Sequence, residues 1–314
     1  MTFQEIDTTT DHGTYKGDPA KTAFDKINEN FGAAAKALSF LRGGSGLTNL
    51  LINPSLLVNQ RRFAGGGLAA NVFGYDRWFA GAGGANVAVS AAGVITHASG
   101  TVCQAVEAPQ NTMGTVVRVS VSDLSGGNLN VTAAGVSGVI TPGAGRRSVA
   151  IQLPIGTASG NVLVTLNAAG VTYRNIMLAR TDEADGRFDA SQFGLELFLC
   201  KQFWEKSYNY NVRPGTADRV GSYRCGILNG FFLAAGSIPF AVEKRGLGAV
   251  TIYAARDGTV GNGSEVNSGG VFVANRVVTA ANIGTSQFQA GGTNTLTAGS
   301  TIEFHWVNDS EITQ

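Results

Sequence analysis

The chain has 314 residues, more than the roughly 100 to 200 that one hydrophobic core usually supports, so we expect two domains plus additional segments. Glycine contributes 43 residues and charged residues only 14%, a mixture that favours short strands joined by tight turns over a helical enzyme. The formal net charge of +1 lacks the basic excess that binding to phosphate backbones usually needs, which argues against nucleic acid as a partner.

The cysteines and the N-terminal segment restrict the cellular setting. Cys103, Cys200 and Cys225 are too few and too scattered for a disulfide framework, and no C-x-x-C pair indicates zinc, so we expect small buried apolar side chains. Residues 1–19 contain no apolar core of a secretion signal, and no apolar run approaches the ~20 residues of a membrane span. We therefore expect synthesis in the cytoplasm without membrane insertion.

A helix is predicted in the first 46 residues. Asp18 is suited to the N-cap and Pro19 to the first helical position, where its missing N–H has no cost. The apolar positions that follow have the 3, 4, 3, 4, 3 spacing of a coiled-coil seam and are Phe24, Ile27, Phe31, Ala34, Leu38 and Leu41. This narrow stripe favours assembly with copies of the same chain, although a single amphipathic helix docked on its own domain remains an alternative. The glycines of residues 42–46 end the helix.

Strand periodicity dominates the rest of the chain and predicts a mainly β fold. Val117, Val119 and Val121 alternate with polar residues, as half-buried strands do, and no helical pattern long enough for a parallel crossover interrupts the series. We expect an antiparallel jelly roll or β-sandwich over 47–185 and a second β-sandwich domain over 186–314.

The final strand shows the same alternation. Ile302, Phe304 and Trp306 share one predicted face, and the other face carries Thr301, Glu303 and His305.

No constellation of residues points strongly to catalysis or to a metal. The three histidines lie far apart, no nucleophile elbow is present, and we expect no catalytic residue, no metal ligand and no cofactor. Paired carboxylates leave glycoside cleavage open as an alternative, since several are available at Asp76, Asp182, Glu183, Asp185, Asp257 and Glu265.

Two segments resemble sequence signatures of phage tail-fibre modules. The first lies within residues 50–81 and supplies Asn53, Val58, Asn59, Gln60, Arg61, Tyr75, Asp76, Arg77 and Trp78. The second lies within residues 195–208 and supplies Glu196, Leu197, Leu199, Cys200, Phe203, Trp204, Glu205, Lys206, Ser207 and Tyr208. Residues 17–31 and 304–312 are similar to elements at the two ends of such fibre proteins, with weaker signals.

The resemblance implies a homotrimer located in the virion, at a tail fibre or the baseplate periphery. Residues 1–46 would attach to the baseplate or to other tail proteins, the first β domain would be similar to carbohydrate-binding modules, and the C-terminal β domain would face the host. Because such signatures recur in fibres for different hosts, we expect them to specify the scaffold. Trp78 should fill a core, and the segment around Cys200 should form a packed junction rather than an active site.

Receptor contacts are expected on polar loops, because loops on a rigid sandwich carry most binding functions. Residues 208–224 and 255–270 are the best candidates, and the side chains suited to stacking on or hydrogen bonding a glycan are Tyr208, Tyr210, Arg213, Tyr223, Asp257, Asn262, Glu265 and Asn267. The leading hypothesis is a non-enzymatic protein that binds bacterial surface polysaccharide or lipopolysaccharide during host adsorption. The alternatives are an adaptor fibre that links the baseplate to a separate receptor binder, a glycan depolymerase, and, for the two loops, ordinary solvated turns.

Overall fold

The computed structural model describes residues 6, 7, 9–11, 13, 19, 21–27, 49–107, 113–155, 161–180, 188, 191–226, 237–292, 297 and 299–313. The chain divides into two compact units. One comprises residues 1–49 with 186–189, and the other comprises residues 50–185 with 190–314. The prediction of separate domains over 47–185 and 186–314 stays a prediction.

The first unit contains the predicted N-terminal helix. Residues 21–27 are helical and form α1, and the Ala23 amide donates to the Pro19 carbonyl at 3.0 Å, one helical turn earlier. Of the predicted seam, Phe24 is 64% exposed and Ile27 is partly buried, whereas Phe31, Ala34, Leu38 and Leu41 lie outside the described residues. The helix is thus confirmed over this span, and the trimer stays a prediction.

The second unit begins with an antiparallel β region in which the described residues form nine strands. These are β1 (Gly66–Leu68), β2 (Phe79–Val89), β3 (Ile95–Val106), β4 (Val116–Ser125), β5 (Leu129–Ala133), β6 (Val136–Ile140), β7 (Gly143–Gln152), β8 (Val162–Asn167) and β9 (Val171–Ala179). Their order is β6-β5-β8-β3-β9-β4-β7, with β2 also paired to β3 and β1 paired to β2. All strand pairings among the described residues of this region are antiparallel.

This region closes on itself as a sandwich. Residues 101–106 of β3 pair with β8, and residues 95–97 of the same strand pair with β9. Gly100 lies between these two parts with φ +82°, where a Cβ would lie 2.3 Å from a backbone oxygen, so the strand changes partner at a position that suits only glycine. The end strands β6 and β7 meet face to face, since a Cβ on Gly138 would lie 3.0 Å from the Val149 side chain. The predicted antiparallel sandwich is confirmed; its assignment as a jelly roll stays a prediction.

The core of the sandwich follows the predicted alternation. Val117, Val119 and Val121 are fully buried. Trp78 is 1% exposed, and its indole N–H donates to the Asn53 carbonyl at 2.8 Å, which satisfies its polar atom. The expectation that Trp78 fills the core is confirmed.

In the remainder of the second unit, the described residues form one helix and two smaller sheets. The elements are α2 (Phe193–Lys201), β10 (Trp204–Lys206), β11 (Tyr223–Gly226), β12 (Ile238–Pro239), β13 (Ala249–Ala254), β14 (Asn262–Val266), β15 (Phe272–Val277), β16 (Thr279–Ala281), β17 (Gln287–Gly291) and β18 (Thr301–Asp309). Strand β18 is the centre of a six-stranded sheet, with β10 and β11 along one edge and β13 and β14 along the other. Strands β12, β17 and β16 form a three-stranded sheet. No helix formed by the described residues is long and apolar enough to cross a membrane.

Both faces of β18 are buried. Ile302, Phe304 and Trp306 pack in the core between the two sheets, as predicted. Glu303 and His305, on the opposite face, are only 1% and 0% exposed, because the segment that follows β10 lies over them. The predicted alternation is confirmed, but the polar face is covered by protein.

The two signature-like segments contact each other. The Asn53 amide donates to a carboxylate oxygen of Glu196 at 2.6 Å, and the Gln60 side chain donates to the Trp204 carbonyl at 3.0 Å. The Lys206 ammonium donates back to the Gln60 carbonyl at 2.7 Å. Residues predicted to mark a packed junction therefore join the first β region to the second.

A buried ionic network completes this junction. Arg77, 1% exposed, pairs with Glu311 at 2.5 Å and lies over the Phe203 ring, 3.5 Å from its centroid. Arg61 connects Asp76 at 2.8 Å to Glu311 at 3.2 Å. Asp76 thus pairs with Arg61, whereas its neighbour Arg77 pairs with Glu311.

Cys200 lies inside this junction, in surroundings that disfavour its thiolate form. It is fully buried, and burial, reinforced by the nearby carboxylates, raises the pKa of its thiol well above the ordinary value. The expectation of a structural cysteine is confirmed. The helix that carries it is not enclosed on every side, however, since Phe193, Leu195 and Phe198 are about half exposed.

Candidate functional site

The predicted loop after residue 207 is held down on the polar face of β18. The Tyr208 ring stacks on His305 with centroids 3.8 Å apart and planes 15° from parallel. The His305 Nε2–H donates to the Asp218 carbonyl at 3.0 Å, and its Nδ1 accepts from the Ser207 hydroxyl at 2.9 Å. Because these contacts lie at both ends of residues 207–218, the loop has a defined path across the sheet.

Glu303 supplies a further anchor. Its carboxylate, 2% exposed, receives a bidentate pair of hydrogen bonds from Arg219 at 3.0 and 2.9 Å. Arg224 approaches the same carboxylate at 3.1 Å and Arg256 at 3.5 Å. Burial alone would raise the pKa of Glu303, but hydrogen bonds from Arg219 and the charges of all three arginines outweigh it, and the pKa lies below its ordinary value.

We call the set of Glu303, Arg219, Arg224 and Arg256 the Glu303 cluster. The sheet register positions this cluster. Arg224 on β11 lies directly opposite Glu303 on β18, and Ser264 on β14 lies opposite it on the other edge. The Ser264 hydroxyl accepts a hydrogen bond from the Arg256 amide at 3.0 Å. This bond holds the start of the second predicted loop beside Glu303. The cluster therefore joins residues from both predicted receptor loops to one central strand.

The two loops also approach backbone to backbone. Gly258 has φ +77°, and a Cβ there would lie 2.0 Å from the carbonyl oxygen of Gly215. Only glycine fits this approach, because any side chain would collide with backbone that has no room to move. The spacing between the loops is thus set by main-chain contact rather than by flexible side chains.

The predicted contact residues of the second loop mostly stabilise turns. Asp257 is exposed, and its carboxylate accepts the Thr259 amide at 2.9 Å and the Asn275 side chain at 2.5 Å. The Thr259 amide is the main cause of a pKa of Asp257 below the ordinary value. Asn262 donates to a carbonyl two residues earlier, and Asn267 accepts two amides of its own turn.

The remaining predicted residues are dispersed. Glu265 is fully buried and accepts from Arg276 at 2.6 Å on the core side of the sheet. The Tyr210 hydroxyl accepts the Asn59 amide at 2.9 Å at the junction. Tyr223 packs on a core phenylalanine, whereas Arg213 is exposed. The eight predicted residues therefore do not form one surface, and the buried Tyr208 and Glu265 have structural partners.

Residue types along the sequence did not indicate the Glu303 cluster. Its arginines, Arg219, Arg224 and Arg256, lie in the two predicted receptor loops, and Glu303 lies on the predicted polar face of the final strand. The arginines of the two loops were the available signal, because they include three of the four members of the cluster. Among the described residues, no group of three or more His, Cys, Asp or Glu side chains could hold a metal ion.

Comparison with known proteins identifies no family for this chain. No family model matches it, and no curated protein matches it. Among solved structures, a cycloisomaltooligosaccharide glucanotransferase of Paenibacillus sp., complexed with cycloisomaltoheptaose, aligns at 9% sequence identity with a TM-score of 0.22. The alignment covers 80% of this chain, and the chain spans 46% of the length of that one.

Proposed function

We propose that the chain is a phage tail-fibre or tail-tip protein that binds a bacterial surface polysaccharide or lipopolysaccharide during host adsorption, without catalysis. It acts as a component of the virion, attached through residues 1–46 to the baseplate or to other tail proteins. The proposal combines the signature-like segments of the sequence with the position of the two polar loops.

The observation that supports this function most is the convergence of both loops on the Glu303 cluster. Residues 208–224 and 255–270 are attached to one sheet, and Arg219 and Arg224 from the first meet Arg256 from the second. Recognition of a glycan requires polar groups held in fixed positions, because flexible groups lose conformational entropy on binding. A pair of loops pinned to a central strand meets this requirement.

Assembly as a homotrimer would strengthen weak binding. Phe24, on the predicted seam, is 64% exposed, as expected of a side chain that is covered only by another copy. Three sites on one fibre raise the effective concentration for the second and third contacts, so weak single-site affinity still gives firm attachment.

The test is adsorption of the purified full chain to a panel of bacteria and to their purified surface polysaccharides. We expect saturable binding to a subset of strains, a native mass of three chains, and no release of reducing ends from the bound polysaccharide. Absence of binding to every strain and polysaccharide would contradict the function, and release of reducing ends would support the depolymerase alternative.

The adaptor alternative is favoured by one surface. Strand β15 pairs only with β14 among the described residues, and it carries exposed Phe272, Val273 and Val277. An exposed apolar strand at a sheet edge is typical of a protein contact. Locating the second β region in intact particles separates the two functions, because an adaptor would have another protein bound over this strand, whereas a receptor binder would be distal and uncovered.

A further inference from the structure

We propose that the Glu303 cluster binds an anionic substituent of the glycan, a carboxylate or a phosphate, through Arg224 and Arg256. This inference rests on the proposed function, which it extends from a glycan in general to an acidic one.

Charge within the cluster is unbalanced. Three guanidinium groups surround one carboxylate, which leaves two positive charges without a partner among these four side chains. The neighbouring Asp218 and Asp257 form no salt bridge with these arginines in the described part of the chain. Their carboxylates accept backbone amides of their own turns instead.

The donors of the cluster are also only partly used. A guanidinium group has five N–H donors. Arg224 places one terminal nitrogen 3.1 Å from Glu303, and its side chain is 55% exposed, so it is accessible to a ligand. Arg256, 24% exposed, has its Nε 3.5 Å from Glu303 without hydrogen-bond geometry and one terminal nitrogen 3.4 Å from the Gly270 carbonyl. Both side chains can therefore bind an anion without losing a strong hydrogen bond within the protein.

The three arginines have different roles. Arg219 uses its Nε and a terminal nitrogen in the bidentate pair with Glu303, and this pair fixes the first loop on the sheet. Arg224 and Arg256 approach the carboxylate from β11 and from the second loop. Arg224 is 55% exposed, and Arg256, 24% exposed, has a buried Nε without a hydrogen-bond partner. Glu303 is thus a positioning residue that orients the arginines, and Arg224 and Arg256 are the predicted ligand contacts.

Planar, forked donors match the oxygens of carboxylates and phosphates, whereas neutral hydroxyls gain much less from two positive charges. The site therefore fits a uronic or other acidic sugar, or a sugar phosphate. It does not fit a long polyanion such as nucleic acid, because the chain as a whole carries a net charge of only +1.

The experiment uses lipopolysaccharide or capsular polysaccharide from a strain to which the full chain adsorbs. One portion is left untreated, one has its carboxyl groups reduced to alcohols, and one has its phosphates removed with cold aqueous hydrofluoric acid. Binding is measured for the native protein, for Arg224→Gln and Arg256→Gln, and for Arg174→Gln. Arg174 is a matched control, since it is an exposed strand arginine in the nine-stranded region.

We expect one of the two chemical treatments to weaken binding at least about tenfold, and this result identifies the anion as carboxylate or phosphate. Each of Arg224→Gln and Arg256→Gln should weaken binding to untreated polysaccharide about tenfold, as expected for loss of one charge-assisted contact, with an unchanged melting temperature. Arg174→Gln should bind within about twofold of the native protein, as expected for an exposed charge that is not part of the cluster.

Equal binding to all three portions, or native binding by both cluster variants, would overturn the inference and leave the proposed function intact. Failure of the native protein to bind any bacterial polysaccharide would instead refute the proposed function. A cluster variant that binds weakly only because it is unfolded is recognised by its melting temperature, and the other variant then decides the outcome.

Discussion

Glu311 is the acceptor on which the ionic part of the junction depends. Its carboxylate, 2% exposed, receives the Arg77 guanidinium at 2.5 Å, the Arg77 amide at 3.1 Å and the Arg61 guanidinium at 3.2 Å. Substitution of Glu311→Gln keeps the size of the side chain and one carbonyl oxygen for the Arg77 amide. The substitution therefore removes mainly the negative charge.

The expected cost follows from the burial of Arg77. This side chain is 1% exposed. Without Glu311, its guanidinium group would still donate to the Ala105 carbonyl at 2.8 Å and lie over the face of the Phe203 ring. Removing one partner of a buried ion pair typically costs about 3–5 kcal/mol, because the other charge is left desolvated without compensation. Total stabilities are about 5–15 kcal/mol, so this loss would be a large fraction of the free energy of unfolding.

Urea denaturation followed by tryptophan fluorescence measures this cost, because Trp78 and Trp204 are buried on the two sides of the junction. The control is Glu243→Gln, since Glu243 is an exposed residue whose carboxylate accepts only from the Thr285 hydroxyl among the described residues. This variant should change the free energy of unfolding by less than about 0.5 kcal/mol.

A second variant tests the physical reason. Replacing Arg77 by Met together with Glu311→Gln removes the uncompensated charge, so the double variant should be more stable than Glu311→Gln alone. A loss below about 1 kcal/mol for Glu311→Gln, or a double variant that is less stable than the single one, would refute this account of the junction.

Three further predictions concern single positions. Cys200→Ala should cost about 1 kcal/mol in the free energy of unfolding, because it leaves a small void at the junction, and should leave cell binding intact at low temperature; a folded variant that no longer adsorbs would contradict this. Gly258→Ala should cost about 2 kcal/mol or more and weaken polysaccharide binding, since its Cβ would collide with the Gly215 carbonyl; native melting and binding would show that the two loops are not fixed at this point. Burial lowers the pKa of His305 in the native state, so below about pH 6.5 the unfolded chain binds more protons and stability is lost as pH falls. His305→Gln should therefore lose less stability than the native protein between pH 7 and pH 5 in urea titrations, and an identical pH dependence would show that His305 does not contribute.

Local patterns predicted much of the fold. The alternation of Val117, Val119 and Val121 is a property of neighbouring residues on one strand, and a sandwich core is the environment in which such a face is buried. The same reasoning found the buried face of β18, and the apolar surroundings of Cys200 in the sequence indicated an unreactive thiol. In each case the side chain and the residues that decide its environment lie close together along the chain.

The candidate site was only partly predictable, because its members are brought together by the path of the chain. Tyr208 and Glu265 have types suited to glycan contacts, but the sheet register places both against internal partners, His305 and Arg276. Asp257 was selected for its carboxylate, which in the structure supports a turn. Residue type alone does not reveal which polar side chains are already engaged.

By itself, the sequence determined the mainly antiparallel β architecture, the helix at residues 21–27 and the burial of Trp78 and Cys200. Only the tertiary structure decided that Arg77 pairs with Glu311, 234 positions later, and that three arginines from two loops meet at Glu303. The physical reason is that periodicity records burial of neighbouring side chains. Pairing of distant charges depends on strand register and on the covering of β18 by the loop that follows β10, which neighbouring residues do not encode.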